Sequence, residues 1–132
     1  MTQEQKNLLL KDLCARLPYG VKCYIPEAND TSILAAVLGD GENTLFNFWE
    51  DSRKIQYWHQ LYISEFKPYL LPLSSMTEEQ NKEYHELIGG MFGTTALINF
   101  EELTDFFNKN HLDYRGLIPM GLAIDATGLN IY

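Results

Sequence analysis

The sequence predicts an α+β fold: an N-terminal helix, a small antiparallel sheet or SH3-like partial barrel, then a helical C-terminal half with a short terminal hairpin. Three observations carry this. Residues 21–63 fall into short runs rich in β-branched and aromatic residues, with turn signals between them. Residues 77–110 hold two helix starts, each followed by apolar positions at helical spacing. Between these halves lies Lys67–Gln80, a strap in which Pro68 and Pro72 bracket an apolar run and bias their predecessors towards extended backbone.

At 132 residues the chain is expected to be a single domain, with a β-rich half to residue 66, the strap at 67–80 and a helix-rich half from 81. Thr2 and Gln5 form a capping box for a helix over Gln3–Arg16, in which Leu10, Leu13, Cys14 and Leu17 make one apolar stripe. Pro18-Tyr19-Gly20 stops it. Val21–Ile25 reads as a strand, Pro26–Thr31 as a turn, and Ile33–Leu38 as a second strand, apolar throughout and so covered on both sides. Gly39–Asn43 is a turn. In Thr44–Trp49, Leu45, Asn47 and Trp49 face one way and Thr44, Phe46 and Phe48 the other. Glu50–Lys54 is a charged turn, and Ile55–Ile63 is the fourth strand.

After the strap, Thr77 and Gln80 cap a helix over 78–88, whose Tyr84, Leu87, Ile88 and Met91 dock only its C-terminal half; Gly89-Gly90 ends it. Ala96–Ile98 reads as a short strand. Asn99 and Glu102 cap a helix over Phe100–Asn110, with Phe100, Leu103, Phe106 and Phe107 towards the core. The tail from His111 is too apolar for a solvated terminus. It reads as a helical turn at Asp113–Leu117, a turn at Pro119–Gly121, and a hairpin pairing Leu122–Ile124 with Leu129–Tyr132. The strap therefore reads as an internal brace, anchored by Tyr69, Leu70 and Leu71, that folds one half onto the other.

The phrases KDLCARLPYGVKC (11–23), KPYLLPLSSMTEEQ (67–80) and DYRGLIPMGLAIDATGLNIY (113–132) resemble an uncharacterised family of small proteins of gut Bacteroides-type bacteria and their prophages or mobile elements. The resemblance covers roughly a third of the chain. It implies a bacterial, phage-related, intracellular context, and it carries over no catalytic residue.

A net charge of −8 and a pI near 4.7 disfavour direct binding of nucleic acid or anionic membranes. The two cysteines, Cys14 and Cys23, form no CxxC pair, and Cys14 reads as a small core residue. No signal peptide or membrane-length apolar run is seen, so a cytoplasmic protein with reduced thiols is expected. His59, His85 and His111 are far apart and lack metal-site spacing. Ser74 and Ser75 sit in no nucleophile elbow. Gly89–Thr95 lacks the lysine of a phosphate loop, and the pairs Glu78/Glu79 and Glu101/Glu102 suit the positive ends of helix dipoles.

No catalytic residue, cofactor or metal is expected. The functional hint is aromatic: Phe46, Phe48, Trp49, Tyr57, Trp58 and Tyr62 on neighbouring strands form either a partner-binding patch or the core of a small sheet. The leading expectation is a non-enzymatic protein-interaction module with an unknown protein partner. The alternatives are an acidic inhibitor that mimics nucleic acid and a small hydrolase or ligand-binding enzyme built around the histidines.

Overall fold

A computed structural model of the chain describes residues 1–39, 44–50, 56–89 and 99–132, with backbone only at 50 and 56–59. The expected turns at 40–43 and 51–54, the segment 91–95 and the strand at 96–98 lie outside the described residues, as does the turn-ending Gly90.

Helix α1 runs Gln3–Arg16 behind the expected capping box: Thr2 Oγ1 accepts from Gln5 N at 3.1 Å, and Gln5 Oε1 accepts from Thr2 N at 3.0 Å. Such a cap contributes about 1 kcal/mol. The buried stripe is offset from the one expected, because it is Leu9, Asp12, Leu13 and Arg16 that are buried. Cys14 is exposed, which corrects its reading as a core residue. Leu10 and Leu17 only flank the core. A short 3-10 turn at Leu17–Tyr19 closes on Gly20, whose φ of 70° is the left-handed conformation glycine adopts without strain.

Four strands then form an antiparallel meander, as expected: β1 (Lys22–Ile25), β2 (Asp30–Leu38), β3 (Leu45–Glu50) and β4 (Gln56–Leu61). The second strand starts earlier than the turn chemistry of 26–31 implied, because Asp30 and Thr31 pair with Ile25 and Tyr24. Its unbroken apolar run has a specific cause. The register shifts between Leu34 and Ala36, so Ala35 is a bulge. Leu34 and Val37 then both lie across from core residues, Phe48 and Phe46, while Ile33, Ala36 and Leu38 share the outer face with Trp49, Asn47 and Leu45.

The strap is a strand. Lys67–Leu70 forms β5, antiparallel to β1, and with β6 (Ile124–Asp125) the six-stranded order is β4-β3-β2-β1-β5-β6. Beyond Leu70, Leu71 N donates to His111 O and Leu71 O accepts from Asp113 N, at 2.8 and 2.7 Å. Proline is rare inside a sheet because it donates no ladder hydrogen bond. Pro68 fits because β6 pairs only with Tyr69 and Leu70, which leaves the proline paired on one side.

A 3-10 turn at Leu73–Ser75 leads to α2 (Glu78–Leu87), capped by Thr77 and Gln80 as expected. Helix α3 (Phe100–Lys109) is capped by Asn99. Phe106, Phe107 and Leu112 form a second core with Tyr84, Leu87 and Leu103 around them. Phe100 does not join it and is 70% exposed, a correction that follows from its place ahead of the packed turns. The expected helical turn at 113–117 is a loop held by Asp113, whose two carboxylate oxygens accept from Leu117 N and Ile118 N at 2.9 Å.

The tail makes no hairpin. Ile124–Asp125 is β6 and pairs in parallel with Tyr69 and Leu70, while Leu129–Tyr132 joins no strand. The helices α2 and α3 supply the crossover that a parallel pair requires. The main core lies between α1 and the inner sheet face, with Leu9, Leu13, Cys23, Leu34, Phe48 and Leu70 among its members.

Candidate functional site

The aromatic set divides between core and surface. Phe46 and Phe48 are fully buried and each meets Phe66 edge-on, with ring centroids 5.0 Å apart. They are core residues, which corrects their place in a partner-binding patch. The alternation of a strand puts Trp49 on the opposite face, where it is 37% exposed. Tyr62 follows β4 and is 52% exposed. The side chains of Tyr57 and Trp58 lie outside the described residues.

Trp49 and Tyr62 do not meet in one patch. Trp49 pairs with Gln56 at one end of the β3–β4 ladder, and Phe46 pairs with Leu61 at the other. Four residue rises separate the two positions, about 13 Å. The immediate surround of Trp49 is mixed, with Gln56 beside it on β4 and the buried Asn47 next on its own face of β3. Ile33 is its cross-strand neighbour, and Ala36, Leu45 and the exposed Leu38 continue the outer face along β2 and β3.

Tyr62 instead borders a groove of about 400 Å³ on the other side of the sheet, between the start of α1 and the turn that joins β4 to β5. Lys6 and Leu10 come from the helix, Ile63 and Glu65 from the turn, and Phe46 contributes from beneath. The turn is tied by Glu65, whose Oε2 accepts from Tyr62 N at 2.7 Å.

The histidines have separate settings. His59's side chain is outside the described residues. His85 lies exposed on α2, with Nδ1 2.8 Å from Asn81 O. His111 stacks flat on Tyr132, ring centroids 3.6 Å apart, and burial, Arg16 and Lys22 lower its pKa to about 4. Among the described residues no three histidine, cysteine or acidic side chains are grouped to hold a metal ion. Burial raises the pKa of both cysteines, which keeps them as thiols at neutral pH. Ser75 Oγ donates to Pro72 O and serves the local turn.

Sequence reasoning missed a buried charge cluster. Asp12 and Arg16 have no exposed side-chain surface. Arg16 Nε donates to Asp12 Oδ2 at 2.8 Å, Arg115 Nε donates to Asp12 Oδ1 at 3.1 Å, and Arg16 Nη2 donates to Leu112 O at 2.7 Å. Tyr114 lies 5.4 Å from the Arg16 guanidinium and 4.7 Å from that of Arg115, and its hydroxyl accepts from Arg115 Nη2. With each Asp12 oxygen held by an arginine, the cluster acts as a clasp between α1 and the tail. The i, i+4 spacing of Asp12 and Arg16 was the available signal. Among the described residues no helix is long and apolar enough to cross a membrane. Comparison of the chain with protein-family models, curated proteins and solved structures found no match.

Proposed function

We propose that this chain is a non-enzymatic protein-interaction module, and that its docking face is the outer side of β2 and β3 with Trp49 as anchor. The observation that carries this is the exposure of a tryptophan on a sheet face, with Ile33 beside it and the exposed Leu38 further along the same face. Exposed tryptophans are among the residues that most often carry the binding energy of a protein contact. The SH3-like reading of the meander belongs to the same proposal, since aromatic-lined surfaces of that class take extended peptides. On the resemblance of its ends and strap, the protein works in the bacterial cytoplasm as an accessory protein of a phage or mobile element.

Affinity capture from the host lysate, run side by side with Trp49→Ala and Leu38→Glu, tests the assignment. A partner held by the parent chain and lost by both folded variants supports it. A partner kept by both variants refutes it.

A second reading rests on the helical layer. Helix α2 carries Glu78, Glu79, Glu83 and Glu86, and α3 carries Glu101, Glu102 and Asp105. A nucleic-acid mimic would use this charge, and its complex would dissociate steeply with salt. Retention of the partner in high salt removes that reading.

A further inference from the structure

We propose that the groove between α1 and the β4–β5 turn binds a free α-amino acid with a bulky apolar side chain. Its volume of about 400 Å³ falls at the lower end of small-molecule sites, roughly 300–1,000 Å³. Two charges of opposite sign line it from different elements, Lys6 on the helix and Glu65 on the turn. They do not neutralise one another, since no ion pair joins them among the described residues. The neighbouring amides are tied to one another, Gln3 Nε2 donating to Asn7 Oδ1 at 3.0 Å. Lys6, by contrast, has no ion pair or side-chain hydrogen bond to any described residue.

This arrangement selects the chemistry of the occupant. Leu10 and Ile63 offer an apolar bed over the buried Phe46, and Tyr62 adds an exposed ring beside it. A fatty carboxylate would satisfy Lys6 but face the Glu65 carboxylate. An apolar amine would meet the reverse conflict. A zwitterion places its carboxylate at Lys6 and its ammonium at Glu65, and its side chain on the apolar bed.

Isothermal titration calorimetry with L-leucine and L-phenylalanine tests this, alongside their N-acetyl and carboxamide derivatives. The free amino acids should bind saturably, and each blocked form should bind roughly tenfold more weakly or worse. Lys6→Met should lose a similar factor and no longer distinguish the acid from its amide. Glu65→Gln, which keeps an acceptor for Tyr62 N, should no longer distinguish the amine from its acetyl form. Thermal melts confirm that both variants stay folded. Should Glu65→Gln loosen the turn, Lys6→Met alone decides. The proposal fails if no amino acid binds saturably up to about 10 mM. It also fails if folded Lys6→Met binds as the parent does.

Discussion

Replacing Arg16 by methionine should be among the most destabilising single changes in this protein. The side chain is wholly buried and makes two charge-assisted contacts, to Asp12 Oδ2 and to Leu112 O. Methionine fills much of the same volume, so the loss is mainly electrostatic. Asp12 keeps only Arg115, and the Leu112 carbonyl loses its donor. A buried acceptor left without a partner costs about 1–3 kcal/mol, and breaking one side of a buried ion pair costs about 3–5 kcal/mol. Against a usual domain stability of 5–15 kcal/mol, such a loss is visible in any equilibrium melt.

Urea unfolding followed by tryptophan fluorescence measures it. Arg115→Met gives the contrast, since its side chain is 16% exposed and shares Asp12 at a longer distance. It should cost about 1–2 kcal/mol. The double variant Asp12→Leu/Arg16→Met should be less destabilised than the two single variants added together, because it leaves no unpaired charge of that pair. The clasp reasoning is refuted if Arg16→Met costs less than about 1 kcal/mol, or if the cycle is additive.

Three further outcomes follow from the same contacts. Burial, Arg16 and Lys22 hold His111 near pKa 4 against 6.5 in an unfolded chain, so below pH 6.5 the unfolded state takes up a proton that the native state refuses. Stability should therefore fall as pH drops from 6.5 to 4, by on the order of 2 kcal/mol after screening of a partly exposed ring, and level off below. His111→Asn, which tolerates the positive φ of 59° at this position, should lack that component, and an unchanged pH profile would exclude it. The Tyr132 hydroxyl accepts from Lys22 N and donates to Tyr69 O, bridging β1 and β5, so Tyr132→Phe should cost about 1–2 kcal/mol in a thermal melt; no change would show the bridge to be dispensable. Leu70→Asp puts a charge where no side-chain surface is exposed and should abolish the near-ultraviolet circular dichroism of both halves together. Loss of only one half would show that the strap does not couple them.

The helix starts were legible in the sequence because capping is local. Thr2/Gln5 and Thr77/Gln80 need only their own backbone amides, and both boxes form. The meander was legible from turn signals and β-branched runs. The strap's strand was hidden because the two prolines argue against a sheet, and its partners are distant in sequence: Cys23 and Tyr24 on one side, Ile124 and Asp125 on the other. The tail was misread for the related reason that Ile124 finds Tyr69 rather than a nearby residue. On α1 the hydrophobic stripe misled because two of its four buried positions are charged. Arg16 is buried by a contact to Leu112, 96 residues away, which no local pattern encodes. The aromatic set failed as one patch because alternation along β3 sends Phe46 and Phe48 inward and Trp49 outward.

That alternation also relates the two proposed surfaces. Phe46 and Trp49 stand on one strand at an odd separation, so they face opposite sides of the sheet. A protein partner on Trp49 and an amino acid over Phe46 therefore occupy different faces and do not compete for space. Any coupling between them has to run through β3 itself, whose register against β4 shifts between Phe46 and Phe48. A bulge of that kind re-aims side chains relative to a regular ladder. Trp49→Ala should leave amino-acid binding in the groove within about twofold of the parent, because it removes no atom that lines it. A larger change, with the fold intact by circular dichroism, would show that the strand transmits between its faces and that the two surfaces belong to one device.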